Sequence, residues 1–132
     1  MNPVAGPFFN ISTNQPTGVV AAFAPQGSSL VGLVNTIAPA IVSGNSIIAI
    51  SSETLPICAV TLAEVLETSD LPGGVVNILT GNASELGSWL ASHLDVNAID
   101  LEGTSKAAEI EMLATENLKR VIRKGSYSRT GA

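Results

Sequence analysis

The first 52 residues of this chain contain no Asp, Glu, Lys, Arg or His. Over all 132 residues the charged share is only 13%, about half of the roughly 25% usual in a soluble domain. A surface so poor in charge leaves apolar area for a partner or further chain to cover. Cysteine is nearly missing as well. Cys58 is alone, which excludes an internal disulfide and any CxxC metal site. It lies one residue before an apolar helical stripe, so a buried, unreactive thiol is expected. His93 is the single histidine; no HExxH spacing exists, and no metal site is expected. Near the end of a helix, that imidazole reads as structural. The glycine-rich phosphate motifs GxGxxG and GxxxxGK[ST] are both absent.

An uninterrupted apolar span is also lacking. A membrane-crossing helix needs about 20 mostly apolar residues. The best stretch, Leu30 to Ile50, is broken by Asn35, Pro39, Ser43, Gly44, Asn45 and Ser46. It reads as buried α/β core and not as a membrane segment. No basic region precedes an apolar run at the start, so no signal peptide is expected, and the cytoplasm is the expected location. Of six basic residues, five (Lys119, Arg120, Arg123, Lys124 and Arg129) fall in the last fourteen positions. Without interleaved aromatics, in a chain of net charge −5, they read as a solvated terminus and not as a nucleic-acid surface.

What the chain does have is rhythm. Residues 1–15 form an irregular lead-in with Pro3, Gly6, Pro7 and Asn14. Val19 to Ala24 is a short apolar strand. Residues 28–42 follow helical spacing through Leu30, Val34, Ile37 and Ile41, with Ser28 or Ser29 as cap. Pro39 is expected to kink that helix or end it early. Ser46 to Ile50 is a second strand. A helix from about Thr54 to Thr68 carries Ala59, Leu62, Ala63 and Leu66 on one face. Leu71-Pro72-Gly73-Gly74 breaks it, and Val75 to Leu79 is a third strand. Asn82 caps a third helix whose expected inner face is Leu86, Trp89 and Leu90. Ala98 to Leu101 is a fourth strand, and Asp100 and Glu102 should share one side of it. Thr104 or Ser105 caps a fourth helix carrying Ala107, Ile110, Leu113 and Ala114. Lys119 to Arg123 starts a fifth strand, and 124–132 is a basic tail.

Strands alternating with helices at this spacing predict an α/β fold: a Rossmann-like parallel sheet of about five strands with helices on both faces. In such sheets ligands lie beyond the carboxyl ends of the strands, near helix starts. The turns concerned are 24–27, 51–53, 80–82 and 102–104. Each holds a small or flexible residue, but none is a strong phosphate loop.

The stretches "PTGVVAAFAP", "IAPAIVSGNSIIAI", "SSETLP", "LPGGVVNILTG", "ASHLDVNAIDLEGTS" and "ATENLKRV", in that order, resemble the aldehyde dehydrogenase family. The resemblance spans about residues 15–122 and implies that 16–123 is part of an NAD(P)-binding domain. It further implies aldehyde oxidation by a Cys thiolate, with hydride passing to the nicotinamide. A Glu-activated water then releases the acid, and an Asn holds the oxyanion. By this resemblance Ala24, Pro25, Ser52, Glu53, Gly81, Gly103 and Thr104 are the cofactor-binding candidates.

The departures are specific. Gln26-Gly27 stand where the family has Trp-Asn, so Gly27 replaces the oxyanion Asn. Losing one such donor costs on the order of 10²–10³ in rate. Ile50 replaces the ribose-binding Lys, while Glu53 keeps the family's Glu. Leu101-Glu102-Gly103-Thr104-Ser105 stand for Phe-Thr-Gly-Ser-Thr, which puts the Glu102 carboxylate where a diphosphate approaches. After "NLKRV" the family's general-base segment is replaced by "IRKGSYSRTGA", and its nucleophilic Cys lies further on. No residue of this chain is therefore expected to be catalytic. NAD or NADP is expected to bind weakly or not at all. The expected role is a truncated or decayed cofactor domain, inactive alone. The alternative is a pseudo-enzyme subunit in a homo- or hetero-oligomer with an active dehydrogenase.

Overall fold

The computed structural model describes residues 6–123. Five strands and four helices alternate: β1 Val19–Phe23, α1 Leu30–Val42, β2 Ser46–Ile50, α2 Ile57–Glu67, β3 Val76–Leu79, α3 Ala83–Ser92, β4 Ala98–Asp100, α4 Ala107–Ala114 and β5 Arg120–Ile122. The strands form one sheet in the order β3-β2-β1-β4-β5, and every pairing is parallel. This is the Rossmann-like α/β architecture that the alternation predicts. The chain winds outward from β1 to β3, then crosses back to β4. The order reverses between β1 and β4, which makes that gap the topological switch point.

Side-chain alternation sorts the core onto two faces. Ala21, Phe23, Ile50, Ile99 and Leu101 pack with Ala83, Ala91, Ile110 and Ala114 of α3 and α4. Ala22, Ala24, Ile47 and Ala49 pack with Leu33 and Ile37 of α1 and Ala59 of α2. Helices therefore cover both faces, as parallel sheets require.

Several local expectations are corrected. α1 runs three residues past Pro39 to Val42. Asn35 and Pro39 are both exposed, so the carbonyl that Pro39 leaves without a donor lies on the solvent side. Ser29 occupies the first position before α1 without a side-chain cap; the hydroxyl of Ser28 accepts from Gly32 N at 3.0 Å instead. α2 starts at Ile57 and not near Thr54, because the Thr54 hydroxyl is drawn to Gln26 O at 3.2 Å. Cys58 is exposed, not buried: Ala59 takes the inward position at the start of α2. Trp89 is 72% exposed, not on the inner face of α3. The face toward the sheet is Ala83, Gly87 and Ala91, at i, i+4 and i+8. Small residues bring α3 close: a Cβ on Gly87 would lie 2.7 Å from Phe23 Cζ. Leu86 and Leu90 pack partly against the core as expected.

The Asn82 cap is present. Its Oδ1 accepts from Ser84 N at 3.0 Å and Glu85 N at 3.1 Å. Thr104 does not cap α4 directly; its Oγ1 accepts from Lys106 N at 3.2 Å. No helix among the described residues is long and apolar enough to cross a membrane. The tail 124–132, and residues 1–5 of the lead-in, lie outside the described residues.

Candidate functional site: the carboxyl rim of the sheet

Four turns follow the carboxyl ends of β1 to β4, and hydrogen bonds tie the first three together. Ala24 is fully buried, and its N–H donates to Ile50 O at 2.8 Å, extending the β1–β2 ladder. Pro25 is exposed. Beyond it, Gln26 O accepts from the hydroxyls of Ser52 at 2.8 Å and Thr54 at 3.2 Å. The Gln26 side chain completes the join, with Oε1 accepting from Glu53 N at 2.8 Å. Glu53 then reaches across to the third turn. Its carboxylate accepts from Ala83 N, the first amide of α3, at 2.5 Å. A negative charge is favourable at a helix start. Gly81, at φ +148°, turns the chain from β3 into that helix, a conformation only glycine adopts freely.

On the other side of β1, Gly103 closes the switch point by contact. A Cβ there would lie 1.9 Å from Phe23 O and 2.7 Å from Ala24 C. Gly103 is thus needed for backbone approach. Of the seven candidates, Ala24, Pro25, Ser52, Glu53 and Gly81 are gathered on one linked rim, and Gly103 abuts it. Thr104 bonds within its own turn. Gln26, marked in the sequence only as a departure, is the residue that joins the turns. Its partners lie 26 to 28 positions away, and no local signal points to them.

The rim is poor in cations. Ile50 is fully buried among Phe23, Ala83 and Ile99. The four turns hold the carboxylates of Glu53 and Glu102. The cation nearest in sequence is the exposed Lys106, at the start of α4. Arg123 is paired with Glu111. These residues suit a ribose or diphosphate poorly: the polar candidates Ser52, Glu53 and Thr104 already have protein partners. Cys58 has no basic residue anywhere in α1 or α2 beside it. No cluster of three metal-ligating side chains occurs among the described residues.

A groove of about 620 Å³ runs along the sheet face beside α1, lined in part by Ala98, Asp100, Glu102, Arg120 and Ile122. Asp100 and Glu102 share this side, as expected, with Leu101 buried opposite. Burial pushes the Asp100 carboxyl above its ordinary range. The hydrogen bond from Glu102 N works against that shift, and the Glu102 charge adds to it.

Residues 2–125 match the sequence profile described as "Aldehyde dehydrogenase family". The chain belongs to the aldehyde dehydrogenase family. Among curated relatives, it is 38% identical over 95 residues to a 3-sulfolactaldehyde dehydrogenase of Priestia aryabhattai, covering 72% of this chain and 20% of that protein. It is 33% identical over 121 residues to "Aldehyde dehydrogenase, cytosolic 1" of Elephantulus edwardii, covering 90% of this chain and 24% of that one. Among solved structures it resembles aldehyde dehydrogenase C of Pseudomonas syringae, a mutant complexed with NAD+ and octanal. The TM-score is 0.78 at 28% identity, over 90% of this chain and 26% of that one. The chain thus spans a fifth to a quarter of these relatives' length.

Proposed function

We propose that this chain is the coenzyme-side frame of an aldehyde dehydrogenase, one that holds NAD or NADP weakly and oxidises no aldehyde by itself. The observation that carries this reading is the state of Glu53 and Ile50. The family's cation position is an apolar side chain sealed in the core, and the retained carboxylate is occupied by Ala83 N. A dinucleotide reaching this rim meets the Glu102 carboxylate, and like charge opposes its diphosphate. Gly27, in place of the oxyanion Asn, offers no side-chain donor. Cys58 is exposed on a helix without a neighbouring base, so nothing there activates a thiolate.

Titration calorimetry of the 132-residue chain with NAD and with NADP tests this. Millimolar binding or no heat is expected. A dissociation constant below about 10 μM, or about −7 kcal/mol, defeats it. Assays with short- and long-chain aldehydes are expected to yield no reduced coenzyme. Turnover that disappears in Cys58→Ala would defeat the inert reading.

The alternative role, an interaction subunit beside an active dehydrogenase, draws support from the outward apolar residues. Val31 is 66% exposed, Ile57 78%, Trp89 72% and Met112 71%. Co-purification with a larger dehydrogenase separates this role from the first.

A further inference from the structure

Several donors on the carboxyl rim already have partners, although the buried Ser51 hydroxyl has none. Glu53 N is held by Gln26 Oε1 at 2.8 Å, the Ser52 hydroxyl by Gln26 O at 2.8 Å, and Ala83 N by the Glu53 carboxylate at 2.5 Å. The Thr54 hydroxyl also donates to Gln26 O. Leu55 N donates to the Ser52 hydroxyl at 3.3 Å, so the 52–55 turn is folded onto its own side chains as well. Together these bonds run across β1, β2 and β3, which are neighbours in the sheet. Three of the side chains they use are only partly shielded: Gln26 is half-buried, and Glu53 and Thr54 are exposed. An exposed carboxylate fixed to a backbone amide is held by geometry rather than by burial. Whatever orients the 51–54 turn therefore decides where that carboxylate points. The Gln26 carbonyl holds the Ser52 and Thr54 hydroxyls of that turn, and the Gln26 side chain holds the amide of Glu53 itself.

We infer that Gln26 and Glu53 form an autoinhibitory latch: Gln26 holds the 51–54 turn so that Glu53 is committed to Ala83 N and cannot serve a ligand. This rests on the coenzyme-frame reading above. In the latched state a ribose hydroxyl competes with a helix amide for the carboxylate. In the released state the carboxylate is a free acceptor on the rim. Gln26 is a positioning residue here, acting through Glu53.

The test uses the full chain and its variants Gln26→Ala, Glu102→Thr, Gln26→Ala with Glu102→Thr, and Gln26→Ala with Glu53→Ala. Amide hydrogen exchange at Glu53 and Ala83 reads the latch directly, and calorimetry with NAD reads its consequence. In Gln26→Ala both amides are expected to exchange about tenfold faster, and NAD affinity to rise about tenfold, as release of one hydrogen bond allows. Adding Glu53→Ala is expected to return the affinity to that of the parent, since the freed carboxylate is then gone. Exchange at both amides unchanged in Gln26→Ala overturns the latch. So does faster exchange with NAD affinity unchanged or lower.

Glu102→Thr separates the two levels. It removes a charge from the rim without touching Gln26 or Glu53, so it tightens NAD binding if the coenzyme frame is real. If it does so and Gln26→Ala adds nothing in that background, the latch fails and the frame stands. If no variant binds NAD at millimolar concentration, the latch is overturned and the rim is a frame that no longer holds coenzyme.

Discussion

The two ends of this sheet are closed by charged groups of opposite sign. At the amino end, side-chain amides and cations close the backbone. Asn45 Oδ1 accepts from Thr17 N at 2.6 Å and Gly18 N at 3.0 Å, and Asn97 Oδ1 accepts from Val19 N at 2.8 Å. Lys119 donates to His93 O and to Val96 O, and Arg120 to Thr17 Oγ1 at 2.9 Å. At the carboxyl end the closing groups are Gln26, Glu53 and the bare backbone of Gly103. Of the four cations among the described residues, Lys119 and Arg120 are thus committed to the end opposite the carboxyl rim. The carboxyl end carries the carboxylates of Glu53 and Glu102 in its turns.

The sharpest way to break this comparison is at Gly103. If the carboxyl rim is held by backbone contact, Gly103→Ala forces apart Phe23 and the 101–104 turn, because neither neighbour is a flexible side-chain end. A loss of about 3 kcal/mol is expected in urea unfolding, at the high end of overpacking costs. A loss no greater than an ordinary surface change would show the rim to be slack.

At the other end, Asn45→Ala strands two backbone donors, Thr17 N and Gly18 N. A cost of about 2 kcal/mol is expected, with NAD binding unmoved. A change in NAD affinity as large as that in Gln26→Ala would erase the distinction between the two ends.

The smallest effect concerns Asp100, beside the rim. Its folded-state pKa is raised by burial. Between the unfolded and the folded pKa the native state binds more protons, so this group's contribution falls as pH rises through that window. Asp100→Asn is therefore expected to raise the melting temperature slightly at neutral pH and to leave it nearly unchanged at acid pH. A lower melting temperature at neutral pH would mean that the ionised carboxylate is a stabilising partner of Glu102 N.

The order of elements was legible because it is local. Apolar runs such as Val19–Phe23 and Ser46–Ile50, the Asn82 cap, and the break at Pro72-Gly73-Gly74 each act over a few residues. Candidate residues of the rim were legible through the quoted stretches. How they are engaged was not, since Gln26 meets Glu53 across 27 positions and Glu53 meets Ala83 across 30. Trp89 and Cys58 were misplaced for a related reason. Hydrophobicity marked both as inward, but Gly87 and Ala59 take the inward positions because close helix–sheet contact favours the small side chain.

Taken alone, the chain of residues determined the alternation of strand and helix, the parallel sheet that follows from it, and family membership. These depend on periodicity, short-range caps and ordered motifs. Only the tertiary structure decided that Glu53 is bound to α3, that Ile50 is sealed in the core, and that Gly103 closes the switch point. Those outcomes depend on which distant backbone atoms arrive within hydrogen-bonding or van der Waals reach, and packing alone sets that.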